Sequence, residues 1–198
     1  STAFTAAERA LVSNAVLDRC DALDGATDGM VQDVGACQAA FRLDRDVPTC
    51  TGARDGTCLS AAQKRTIAGI FAGVRTSAGE RIYASWPYDT GFATGGWAFW
   101  KFTVPRILDS GAVGLIFQVP PEDPATFSGP VFAMTGNVDT MLARVNATNT
   151  VYRESAMSFM QPPHASDLRV LRERGGRMLV YHGTSVPVFS RDDTLRWY

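Results

Sequence analysis

Asp21-Ala-Leu-Asp24-Gly25-Ala26-Thr-Asp28-Gly29-Met30 places three carboxylates within eight residues. The interleaved glycines permit the tight turns that would bring them together. Hard cations such as calcium take about six to eight oxygen ligands, from carboxylates and backbone carbonyls. The spacing is not that of an EF-hand loop. The competing reading is a solvated Asp-Gly turn region in which these residues only supply turn dihedrals. Four cysteines, Cys20, Cys37, Cys50 and Cys58, all fall in the first third of the chain, and four cysteines allow three pairings. Sequential pairing, Cys20 with Cys37 and Cys50 with Cys58, would close two short loops, each contributing about 2–3 kcal/mol through loop-closure entropy. A zinc site would need closer cysteine pairs or a neighbouring histidine, and His164 and His182 are remote in sequence. Free buried thiols in a cytosolic protein are the plainer alternative. Disulfides are the preferred reading, and they imply a secreted or periplasmic compartment. A bridge at Cys20 would pre-organise the acidic loop and favours calcium there.

The elements that must carry these groups follow from capping and periodicity. Thr5-Ala-Ala-Glu8 is a capping box, because hydroxyl and carboxylate each satisfy an orphan amide. It opens an amphipathic run with Leu11, Val12, Ala15 and Val16 on one face, ending near Asp18. Cys20 to Thr57 reads as loop, with Asp-Gly at 24–25, 28–29 and 55–56. Ser60-Ala-Ala-Gln63 is a second capping box leading into Ile67, Ile70, Phe71 and Val74 at helical spacing. Residues 77–96 read as irregular loop. The aromatic cluster Trp97-Ala-Phe99-Trp100-Lys-Phe102 starts a helix toward Asp109, and Val119-Pro-Pro-Glu-Asp-Pro124 breaks the chain. Further helices are predicted over 138–145 and 167–174. Arg177-Met-Leu-Val-Tyr-His182 between glycines reads as a buried parallel strand. Ser190 caps a last helix.

The chain has 198 residues, 45% of them hydrophobic and 20% charged, which fits a soluble globular protein with a sizeable core. With Lys+Arg 19 against Asp+Glu 20 and no basic cluster, a nucleic-acid partner is not expected. No apolar run approaches the roughly 20 residues of a membrane span. No leader pattern opens the chain, so any signal peptide is expected to lie outside it. Asn146-Ala-Thr148 is a glycosylation sequon, meaningful only in a eukaryotic secretory host.

Taken together, Cys20-Asp-Ala-Leu-Asp-Gly-Ala-Thr-Asp-Gly29, Cys37, Cys50, Cys58-Leu-Ser-Ala-Ala-Gln63 and Gly175-Gly-Arg-Met-Leu-Val-Tyr-His-Gly183 resemble the tannase/feruloyl esterase family. That family includes mono(2-hydroxyethyl) terephthalate hydrolases and consists of secreted serine esterases. The resemblance implies an α+β class: a mainly helical, loop-rich lid domain inserted in an α/β-hydrolase (residues 1–170), plus one strand of the hydrolase core (171–198). It puts calcium ligands on the side chains of Asp21, Asp24 and Asp28 and the backbone carbonyls of Ala26 and Met30. It also puts disulfides on Cys20–Cys37 and Cys50–Cys58. The lid of such an esterase roofs an aromatic acyl group, so the implied substrate-facing residues are Trp97, Phe99, Trp100, Phe102 and Phe189. Arg106 would pair with a substrate carboxylate. Aromatics at this spacing also suit an ordinary core, and Arg106 an ordinary surface.

A serine esterase needs a nucleophile, a base, an orienting acid and oxyanion donors. No Gly-x-Ser-x-Gly elbow occurs. Ser60 reads as a helix cap and Ser185 as a loop residue. The family's acid follows a His-Gly pair, as in H-G-x-x-D-P, and here His182-Gly-Thr-Ser-Val186-Pro187 puts valine at that place. The expectation is a lid fragment that lacks the triad and is inactive alone. Its partners would be the remaining hydrolase core and, through the parent enzyme, an aromatic ester. The alternative is a free-standing calcium-binding, disulfide-stapled secreted module; a third is one chain of a nicked enzyme.

Overall fold

A computed structural model describes residues 3–198. They form two compact units. The first comprises residues up to 74 with 81–101 and 182–196, and the second comprises 75–80, 102–181 and 197–198.

In the first unit, helix α1 (Ala6–Cys20) starts where its capping box demands. The Thr5 side chain accepts from the Glu8 amide, and the Glu8 carboxylate accepts from the Thr5 amide. Val12, Val16 and Cys20 form its buried face. Two short helices, α2 (Val34–Ala40) and α3 (Leu43–Asp46), occupy the stretch expected to be loop. Only Val34, Cys37 and Leu43 in them are buried, too few to write a helical period. Helix α4 (Ala61–Ala72) follows the second capping box and buries Ile67 and Phe71. It stops at Gly73, φ 77°, where any side chain would collide with the Ala84 carbonyl. Val74 therefore leaves the helical face expected of it and is exposed.

Around Phe71 an aromatic core assembles. Tyr88 stacks on it at 4.4 Å and Trp97 at 5.6 Å, while Phe92 meets Trp97 edge-on at 4.6 Å. Short helix α5 (Gly95–Ala98), capped by Thr94, carries Trp97. The helical path then continues in wide turns through Phe99–Thr103, Pro105–Asp109 and Ala112–Phe117, past the expected end at Asp109.

The second unit holds α6 (Gly129–Thr135), α7 (Val138–Val145), α8 (Ala156–Met160) and α9 (Arg169–Glu173). Its buried apolar residues are Val104, Val119 and Ala156, and much of its apolar surface is open. Helix α10 begins at Arg191, after Ser190.

The strand expected over 177–182 does not form. The segment carries no regular secondary structure, and the sole β-bridge among the described residues joins Thr49 and Leu59. Leu179 is 89% and Tyr181 91% exposed. A strand is a ladder, and an apolar run becomes one only where a neighbouring backbone supplies partners. The described chain is thus mainly helical.

Glu8 is the one acidic residue of the buried α1 face, and Arg54 neutralises it with two 2.8 Å contacts, Nε to Oε1 and Nη2 to Oε2. The guanidinium holds the Glu8 carboxyl down from the ordinary 4.5 to about 2. The pair's contribution is complete above about pH 4.5 and is lost as the pH falls toward 2, because the unfolded chain takes up the proton first. Glu8→Gln should destabilise the protein by about 1–2 kcal/mol, since the charge-assisted contacts from Arg54 are lost while glutamine, as at Gln63, still closes the capping box. Urea denaturation should show that loss at pH 7 and a much smaller one near pH 3.

Candidate functional site

The acidic loop leaves the end of α1 through a short 3-10 turn, Asp21–Asp24, closed by Gly25 at φ 92°. Its carboxylates hold the loop together. Asp21 Oδ1 accepts from the Asp28 and Gly29 amides at 3.1 and 3.0 Å, and Asp28 Oδ1 accepts from Met30. Asp24 accepts from the Ala26 and Gln32 amides at 3.0 and 3.1 Å. The Cys20–Cys37 disulfide anchors one end of the loop to α2, and Cys50–Cys58 closes the second, shorter loop. The donor set offers oxygen only, as a hard cation requires. In this arrangement each carboxylate faces backbone amides. Among the described residues no three His, Cys, Asp or Glu side chains converge in a metal-holding cluster.

The aromatic candidates separate by exposure. Trp97 is 1% exposed and belongs to the core of the first unit. Phe99 and Trp100 meet edge-to-face at 5.7 Å and are both exposed. Phe189 is 66% exposed. Phe102 and Arg106 fall in the second unit, and Phe102 is half-buried there. The Arg106 guanidinium is exposed.

The segment after residue 181 carries the position where the family's acid would stand. His182 bonds the Thr194 hydroxyl through Nδ1 at 2.7 Å and the Phe189 carbonyl through Nε2 at 3.1 Å. A carbonyl only accepts, so Nε2 is the donor to Phe189. Both nitrogens are thereby engaged within the chain, and neither is directed at a nucleophile. Ser60 caps α4 through the Gln63 amide at 3.2 Å. Val186 offers no acceptor.

Sequence reasoning passed over Asp89, whose Asp-Thr-Gly setting resembles any turn. It is buried, and its Oδ1 accepts from the Ser185 hydroxyl and the Gly91 amide, both at 2.5 Å. Burial pushes its carboxyl up, against the lowering effect of those two donors. A side chain at position 91 would strike Ser185 and the Asp89 carboxylate. Asp89 thus ties residues 89–91 to the loop bearing Val186. Asp89→Ala leaves two donors without an acceptor, and exchange of the 183–186 amides should accelerate by about tenfold or more. Asp89→Asn, which keeps an acceptor oxygen, should restore most of the protection in hydrogen–deuterium exchange.

Comparison with known proteins gives these features a context. The family model described as "Tannase and feruloyl esterase" matches residues 1–198. A mono(2-hydroxyethyl) terephthalate hydrolase of Piscinibacter sakaiensis is 32% identical over 219 residues, covering 98% of this chain and 36% of the relative. An uncharacterized esterase of Xanthomonas campestris pv. campestris is 31% identical over 203 residues, covering 98% of this chain and 33% of its own. In fold, the crystal structure of feruloyl esterase B from Aspergillus oryzae superposes with a TM-score of 0.57 at 21% identity, over 98% of this chain and 35% of that one. The chain spans about a third of the length of the relatives it matches. The chain belongs to the tannase and feruloyl esterase family.

Proposed function

We propose that this chain is the lid, or substrate-recognition, portion of a secreted serine carboxylic ester hydrolase acting on esters of aromatic acids of the feruloyl, galloyl or hydroxyethyl terephthalate type. The carrying observation is a family match along the whole chain to about a third of relatives, one of them named for a terephthalate ester. In the parent enzyme a serine attacks the ester carbonyl, and water releases the acid from the acyl-enzyme. Val186 cannot orient a base, so the chain supplies recognition rather than chemistry. Phe99, Trp100 and Phe189 offer exposed rings for an aromatic acyl group in the first unit, and Phe102, half-buried in the second, is a further aromatic candidate. Trp97 braces α5 from within the core, and the free Arg106 guanidinium suits a substrate carboxylate. The exposed 178–181 run, without regular secondary structure of its own, supports docking against the hydrolase core as a strand of its sheet, since its apolar side chains are open. Disulfides support an oxidising compartment. No helix among the described residues is long and apolar enough to cross a membrane.

The chain alone should show no turnover of methyl ferulate or p-nitrophenyl acetate above the buffer rate. Serine-inhibitor-sensitive hydrolysis would refute the division of labour. Calcium is the proposed resident ion of loop 21–30, with Asp21, Asp24 and Asp28 giving side-chain oxygens and Ala26 and Met30 giving carbonyls. Each carboxylate would turn from its amide partners toward the ion. Chelation with EDTA should lower the melting temperature by several degrees, and Asp24→Ala should abolish that difference. Identical melting curves with and without chelator would assign the loop to turn formation only.

A further inference from the structure

A cavity of about 570 Å³ opens in the first unit between α3, α4 and Tyr88. That volume falls in the range of small-molecule sites, about 300–1,000 Å³. Its charges are unbalanced. Lys64 is 4% exposed, yet its ammonium meets only the Asp44 and Val47 carbonyls, at 3.1 and 2.5 Å. A buried ammonium without a counter-ion is costly, and an anion close by relieves that cost. The Arg42 guanidinium donates to the Gln38 and Phe41 carbonyls at 3.0 and 2.8 Å and forms no ion pair among the described residues, although the Arg42 backbone amide donates to the Asp46 carboxylate at 2.7 Å. Among the described residues the Arg65 guanidinium has no hydrogen-bond or ion-pair partner. Against these three cations the lining sets one carboxylate, Asp44.

Two rings, Phe41 and Tyr88, share the rest of the wall with apolar and uncharged polar side chains. Phe41 and Tyr88 pack with ring centroids 5.1 Å apart, and Phe71 backs Tyr88 from behind. Tyr88 is half-buried, and its hydroxyl has no hydrogen-bond partner among the described residues. An aromatic surface beside uncompensated guanidinium groups is the recognition chemistry of a ring bearing an acid. Arginine grips a carboxylate through parallel N–H donors, and the ring covers apolar wall that would otherwise face water.

We infer that this cavity binds a small aromatic carboxylate, its acid group held by Arg65 and Arg42 near the Lys64 charge and its ring laid against Phe41 and Tyr88. The inference rests on the cavity and its charges, not on the esterase reading.

The test is a titration of the intact chain with sodium 4-hydroxybenzoate, followed by calorimetry and by the ring resonances of Phe41 and Tyr88. Saturable binding with shifts at both rings is expected, and Arg65→Ala should weaken it at least tenfold. Arg65 is exposed and unpartnered, so this variant should keep the native melting temperature, whereas Lys64→Met is less useful because Lys64 also ties α4 to the carbonyls of residues 44 and 47. Benzyl alcohol and acetate, carrying the ring or the charge separately, should each bind at least tenfold more weakly. Absence of saturation at millimolar ligand overturns the inference. Unchanged affinity in Arg65→Ala, equal binding of benzyl alcohol, or equal binding of inorganic phosphate overturns it as well.

Discussion

Phe71 is the residue on which the first unit turns. Its ring lies between Tyr88 and Trp97, close to parallel with both. The three come from a helix, an irregular segment and the start of another helix. Aromatic side chains bury large areas, and favourable offset stacking adds about 0.5–1.5 kcal/mol per pair. This contact fixes where the unperiodic stretch before residue 94 must lie. It also positions Trp97, after which Phe99 and Trp100 emerge exposed. The wall of the cavity beside α4 follows from the same stack, because Tyr88 can line it only while Phe71 supports the other face.

The polar groups buried around this core are satisfied in four different ways. Glu8 has a full counter-ion in Arg54, with two parallel contacts that suit a carboxylate. Asp89 has neutral donors, a hydroxyl and an amide, and burial raises its carboxyl accordingly. Ser13, on the buried face of α1, accepts from the Ala93 amide and donates to the Thr90 carbonyl, so one hydroxyl joins α1 to the turn at 90–93. Lys64 has carbonyls and no opposite charge. The first and third arrangements are closed, whereas Lys64 leaves an electrostatic demand at a cavity wall.

The two units differ in how much they bury. The first has most of the inward-facing apolar residues and both disulfides. The second has polar contacts such as Arg144 with Glu122 and the Ser77 amide with Asp139, and leaves Ile116, Met134, Val151 and Phe159 largely open. Such surface is unusual for a protein that meets only water. It is consistent with a family whose members are about three times as long as this chain.

Both capping boxes, the helices they start, the acidic loop and the family resemblance were legible in the residues, because caps, Asp-Gly turns and 3.6-residue periodicity are encoded within a few neighbours. The disulfide pairing came with the resemblance and is the pairing found. Helices α2 and α3 were not legible, since each exposes most of its residues and leaves little period to detect. The apolar run at 177–182 looked like a strand, but pairing is a property of two backbones, and one segment cannot encode its neighbour. Asp89 and Lys64 were invisible for a related reason. Each bonds to partners 96 and 17 to 20 residues away, and burial, which gives each its chemistry, exists only once the chain has folded.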